Sequence, residues 1–378
     1  MRYPKEYYPA FYRDFFDIFP RFIPLQDKIK LIYAGTNTHH CFNDRNLSDI
    51  VEEVAEALEE GKEYFIFDNS SETFMTDFYR IVVKVSKYFS HIPPQNFYYT
   101  SGAFPDIDIF YKEFNAPPEI NLLFSVNQVL RGVRRVEHIK DILPSYEIRL
   151  KEKLFLCYNK IERPHRIHTF AYLSKNNLLD KGYFSFQGVN NRWIPAVLVS
   201  KHYAEWIKHE VRRHIRDFPY VLNIGPDREN PIDIQEDDFK HFTESYFSII
   251  NETTCFSHSF NFNPMMRKYI NMPFLTDKTV KAFIMRHPFI VNASPNFLRR
   301  LRSIGYRTFH PYIDESYDII ENDEDRISAV FKEISRLCEK TDSEWLEWQQ
   351  SVADILEHNF KLTFEMNNFE LKKELYGF

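Results

Sequence analysis

The sequence predicts an α/β fold built as two domains, on three observations. Apolar runs of strand length alternate with longer stretches of helical spacing, which implies parallel sheets covered by helices. The 378 residues exceed one ordinary core, and a hydrophobic content of 44% supplies two. A proline-led charge run at residues 144–153 then reads as the linker between two such series.

Residues 1–26 are aromatic and proline-punctuated, with helical spacing over 9–19. Residues 28–34 alternate into a strand that Gly35 breaks, and Asn37, Thr38, His39 and His40 follow as loop. Residues 47–60 have helical spacing, with Ser48 or Asp49 as cap and Gly61 as stop. Strands are expected at 64–67, 96–100 and 122–126, with a helix over 74–89. A helix at 131–143, basic at its start, precedes the linker.

The second series opens with a strand at 154–158 and a helix at 166–176. Another helix is expected at 200–216, with an acidic insertion at 227–238. Residues 247–254 read as a strand running into a polar loop that reaches Glu252. Thr276 or Asp277 caps a helix that ends at His287-Pro288, because the residue before proline is pushed out of the α region. Phe289-Ile290-Val291 suits a buried strand. Ser294-Pro295 starts the next helix, Gly305 caps it, and Thr308-Phe309 leads into a further strand. Helices at 323–340 and 344–360 close the chain.

The net charge of −6 and pI near 6.2 argue against a dedicated nucleic-acid coat or membrane-surface protein, which needs a basic excess. Cys41, Cys157, Cys255 and Cys338 are scattered without metal spacing, which points to a reduced, cytoplasmic setting. The start has no apolar leader, and no apolar run is long enough to cross a bilayer.

Open α/β sheets bind ligands at the carboxyl ends of their strands, so the chemistry is sought in the loops there. Nine glycines form no G-x-G-x-x-G and no P-loop. A phosphate site must therefore rest on helix starts and cationic side chains. Arg163 and Arg166, after the strand ending at Asn159, offer guanidinium forks that match phosphate oxygens in pairs. The helix start at Thr276-Asp277-Lys278 adds cationic Lys278 and Lys281, and an acid, Asp277, able to accept from ribose hydroxyls. Glu252, with Asn251 and Thr253 beside it, is a second candidate for ribose or sugar.

In the first series Asp68 and Glu72 flank a strand end and a helix start. With His39 and His40 they are the candidates for a general base. Asp106-Ile-Asp108 spells a D-x-D but has no strand before it, so no metal is assigned to it. The pairs His165/His168 and His209/His214 lack a third ligand for zinc. Arg131, Arg134 and Arg135 form the clearest local basic cluster, a solvated face or a guide for a polyanion.

The order Glu252, Thr276-Asp277-Lys278, Pro288 to Val291 and Ala293-Ser294-Pro295 resembles the donor-binding half of GT-B glycosyltransferases, most of all the α1,3-fucosyltransferases. Asp277 stands where that pattern has Glu, and Ala293 where it has Gly. With Leu154 to Asn159 and Arg163-Pro164-His165-Arg166, the chain also looks like a group of phage-encoded predicted glycosyltransferases. The likeness covers roughly residues 150–335.

The resemblance implies two Rossmann-like domains facing a central cleft. Residues 1–148 would hold the acceptor and 149–340 the nucleotide sugar. Residues 341–378 would form a helix crossing back toward the first domain. It implies a metal-independent transferase with a nucleotide-sugar donor as co-substrate and no tightly bound cofactor. Asn159, Arg163, Arg166, Glu252, Thr253, Thr276, Asp277, Lys278 and Lys281 would then bind the donor, with Asp68, Glu72 or His39 catalytic. The acceptor is expected to be a glycan, with a hydroxymethylated DNA base second. A glycan- or nucleotide-binding protein that keeps the fold without turnover is the third reading. The expected place is the cytoplasm, that of the host if the gene is a phage's, with no membrane insertion.

Overall fold

A computed structural model of the chain describes residues 20–33, 47–68, 76–102, 120–124, 127–159, 163–186, 197–200, 203–220, 222, 234, 236–253, 255 and 273–365. The fold is α/β, with two sheets of parallel strands flanked by helices. The chain divides into two compact units. One comprises Met1–Gln128, Met265–Phe274 and Asn367–Phe378; the other comprises Val129–Pro264 and Leu275–Met366.

In the first unit β1 (Ile29–Tyr33), α1 (Leu47–Glu59), β2 (Tyr64–Asp68), α2 (Thr76–Tyr88), β3 (Phe97–Ser101) and β4 (Asn121–Phe124) follow in turn. The strands pair in their chain order, β1-β2-β3-β4. Helix α1 buries Ile50, Val54 and Ala57, one side of a 3.6-residue period. Gly61, at φ 79, turns the chain so that Lys62 N reaches Ala57 O at 2.9 Å. Phe65, Phe67, Phe97 and Tyr99 fill the core between sheet and helices, with the Phe65 and Phe97 rings stacked at 5.5 Å.

The second unit runs α3 (Asn127–Val136), β5 (Lys153–Asn159), α4 (Pro164–Lys175), β6 (Gly182–Phe186), α5 (Glu205–Arg213), α6 (Glu236–Thr243), β7 (Ser245–Asn251), α7 (Asp277–Ile284), β8 (Phe289–Asn292), α8 (Phe297–Ser303), α9 (Asp323–Cys338) and α10 (Asp342–Glu365). Its strand order is β6-β5-β7-β8. From β5 the chain steps outward to β6, then returns to the other side of β5 for β7 and continues to β8. Right-handed crossovers then put α4 and α7 on opposite faces. Their neighbours agree: α4 packs on α5 and α9, whereas α7 packs on α10. On that second face a Cβ at Gly132 would stand 2.6 Å from Val280 Cγ1, so glycine sets the approach of α3 to α7.

Several expectations shift. The boundary expected at 148/149 lies inside the second unit, because α3 already packs on α7 through Gly132. The closing helix α10 is longer than expected, and its Trp345 stacks on Tyr246 at 4.1 Å. Strand β6 and helix α6 were not foreseen. The aromatic run Tyr183 to Phe186 carries no period of its own, and α6 begins inside what reads as an acidic insertion. Thr308 and Phe309 form no strand: Glu315 accepts from Thr308 Oγ1, Phe309 N and His310 N and holds them as a turn. Residues 9–19, Gly35, Asn37 to His40, Glu72 and Asp106 to Asp108 lie outside the described residues.

Among the described residues no helix is long and apolar enough to cross a membrane.

Candidate functional site

The reversal in strand order falls between β5 and β7. In open sheets a crevice forms there, because the helices that follow the two strands leave on opposite faces. The loops after β5 and β7 carry the residues of interest.

After β5, Arg163 takes the N-cap position of α4 in extended backbone, and Pro164 fills the first helical position, where a missing N–H costs nothing. Helix α4 therefore starts at Pro164, two residues before the expected start. It carries neither a capping side chain at Arg163 nor an acid in its first turn. Arg163 Nη1 donates to Thr253 O at 2.9 Å, and Arg166 Nη2 donates to Asn251 O at 3.4 Å. Both guanidinium groups thus reach from the β5 side to the β7 side. His165 Nε2 lies 2.7 Å from Glu252 O and completes the bridge.

After β7, Glu252 is fully buried. Its carboxylate accepts from Thr276 Oγ1, from Thr279 Oγ1 at 2.6 Å and from Thr276 N at 3.4 Å. Glu252 is thereby the clamp on the start of α7, with both oxygens engaged by this chain. Thr276 is the N-cap and accepts from Lys278 N. Asp277 and Lys278 face each other at 3.7 Å, with side chains 20% and 21% exposed. Lys281 lies in the last turn of α7, away from its start.

Beneath these groups runs a row of amides that sequence reasoning only half found. Asn159, Asn251 and Asn292 are the last residues of β5, β7 and β8, and all three are buried. Asn251 Nδ2 donates to Asn159 Oδ1 at 3.1 Å, and Asn292 Nδ2 donates to Asn251 Oδ1 at 3.2 Å. Thr169 of α4 also donates to Asn251 Oδ1, at 2.9 Å. Cys255 Sγ continues the row by donating to Asn292 Oδ1 at 2.9 Å. One signal could have found the row: each apolar strand run ends on an asparagine.

The electrostatics of the crevice are set by too many cations in too little water. Burial first, and Arg163 second, pull Arg166 down to about 9. Lys278 is lowered by burial, with Arg166 and Arg163 pushing the same way and Asp277 and Glu252 opposing. His165 falls well below the ordinary histidine range because it is buried beside Arg166 and Arg163, so the imidazole is neutral. Three cationic side chains from two helix starts therefore meet with two carboxylates, one of them wholly occupied by Thr276 and Thr279. An anion placed among them would offset their mutual repulsion.

No protein-family model matches this chain, and no curated protein matches it.

In the first unit, Asp68 ends β2 and is mostly buried; it accepts from Thr100 Oγ1 of β3 at 2.5 Å. It is the member of the expected catalytic set that falls within the described residues; Glu72 and His39 do not. Of the basic cluster, Arg134 is half-buried, and the side chains of Arg131 and Arg135 lie outside the description. The His168 ring lies 5.3 Å from the Tyr203 ring.

Proposed function

We propose that this chain is a glycosyltransferase that moves a sugar from a nucleotide-sugar donor to an acceptor hydroxyl. The observation that carries the reading is the convergence of Arg163, Arg166 and Lys278 at the one reversal of strand order among the described strands. A donor's diphosphate would sit among the three cations, which would stabilise the charge that grows on the departing nucleotide as the sugar leaves. Their forked and pointed N–H groups suit phosphate oxygens. Asp277, still partly exposed, is the acid available to ribose hydroxyls, while Glu252 holds the α7 start in place for it. The neutral amide row beneath the cations adds no negative charge to oppose an anion. Asp68 is the candidate base for the acceptor hydroxyl, and a glycan is the acceptor that the sequence resemblance favours.

Thermal unfolding in the presence of nucleoside diphosphates and nucleotide sugars tests the donor class. A ligand at a hundredfold its dissociation constant stabilises the folded state by about 2.7 kcal/mol. A rise in Tm with one nucleotide, retained by its sugar conjugate, is expected. A folded protein indifferent to every nucleotide in the panel would sink the reading.

A further inference from the structure

Arg326 of α9 lies outside the cation cluster, yet it touches both loops that border it. Its side chain is 2% exposed. Nε donates to Ala293 O, after β8, at 3.0 Å, and Nη2 donates to Cys255 O, after β7. Nη1 donates to Ile320 O at 2.9 Å and Glu321 O at 3.1 Å, while Nη2 also pairs with the buried Asp323 carboxylate. All five N–H donors of the guanidinium are thus used, four on backbone carbonyls of three separate segments. A buried ion pair is a costly way to stabilise a fold, whereas a planar five-donor fork is well suited to fixing the separation of two loops.

Those loops carry the site. The one after β7 holds Glu252 and Thr253, which engage α7 and Arg163. The one after β8 holds Ser294, whose buried hydroxyl meets no partner among the described residues. Cys255, at the point Arg326 grips, also donates its thiol to Asn292 of the amide row. We propose that Arg326 is a positioning residue. Through Cys255 O and Ala293 O it sets the spacing of the β7 and β8 loops, and so the fit of the crevice to a nucleoside diphosphate. This role rests on the donor-site reading above, but the hold on the loop can be measured without any ligand.

Two readouts are taken on wild type, Arg326→Lys, Arg326→Met and the double variant Arg326→Met/Asp323→Asn, which leaves no orphan carboxylate if the single change fails to fold. The first is native-state alkylation of cysteines by N-ethylmaleimide, followed by mass spectrometry. Cys255 and Cys157 are both buried, and both should be protected in wild type. Loss of Arg326 should speed labelling of Cys255 at least tenfold and leave Cys157 protected. The second is titration with guanosine, uridine and adenosine diphosphates. The diphosphate that binds wild type should bind the methionine variants at least tenfold more weakly. Lysine keeps the charge but cannot span two carbonyls, so it should restore little. Millimolar guanidinium should restore affinity to an Arg326→Ala chain and do nothing for wild type.

Equal labelling of the two cysteines in a folded methionine variant overturns the hold on the loop. Unchanged diphosphate affinity overturns the positioning role. A wild type that binds none of the three diphosphates overturns the donor reading instead, and the Cys255 contrast then still decides whether Arg326 holds the loop.

Discussion

The two sheets of this protein are built alike and end differently. Each has four parallel strands among the described residues, but the first keeps its chain order while the second reverses between β5 and β7. Consecutive order sends successive crossovers to one face and leaves no gap between neighbouring strand ends. Reversal sends α4 and α7 apart and opens a crevice. The side chains follow suit. The carboxyl ends of β2 and β3 join Asp68 to Thr100, an acid met by a hydroxyl. Those of β5 and β7 gather Arg163, Arg166 and Lys278 above a neutral amide row. The difference teaches that strand order, beside strand composition, sets where side chains from two helix starts can meet at the end of an α/β sheet.

Acid should separate the two units most strongly. Burial lowers His168 to about 3 and His287 to about 4, and both lie in the second unit. Their folded values lie below the unfolded value of about 6.5, so the unfolded chain binds protons better and stability falls as pH drops from there. Below that value each should cost up to about 1.4 kcal/mol per pH unit, together about 3 kcal/mol between pH 6.5 and 5. The four tryptophans all belong to the second unit, so urea unfolding followed by their fluorescence reads this loss directly. A midpoint equal at the two pH values would contradict the burial of these rings.

Glu252→Ala should come next. It strips the clamp from Thr276 and Thr279 and leaves the α7 start without its acceptor, at a cost of about 3 kcal/mol, again read by tryptophan fluorescence. Glu252→Gln keeps an acceptor oxygen and should cost less. Lys278→Ala should leave stability nearly unchanged and weaken nucleoside diphosphate binding ten- to a hundredfold, about 1.4–2.7 kcal/mol. Titration calorimetry measures it, and equal affinity would remove Lys278 from the site. The smallest effect on binding is expected in the first unit. Asp68→Asn should leave diphosphate affinity as it is while abolishing sugar transfer, and a loss of affinity there would break the contrast between the two sheets.

The second unit was legible where its signals are local. Thr276, Pro288 and Gly305 punctuate helices and strands at positions that chain neighbours decide, and the α7 cap fell on Thr276 as one of the two residues expected. What depends on partners distant in the chain was not legible. The hydrogen bonds that Thr276 and Thr279 give to Glu252 join positions more than twenty residues apart, and no local pattern announces them. Thr308 and Phe309 read as a strand until Glu315 takes their polar groups. The Arg326 fork and the order of β6-β5-β7-β8 depend on register and on crossovers, for which no single stretch carries a signal.

The central claim, that the crevice between β5 and β7 is where a nucleoside diphosphate binds, is tested most directly by hydrogen exchange read by mass spectrometry, with and without the best-binding nucleotide. Slower exchange is expected in peptides covering residues 163–170 and 275–284, with peptides over 64–102 unchanged. Protection confined to the strand ends of the first unit, or absent from the α4 and α7 starts at saturating nucleotide, would contradict it.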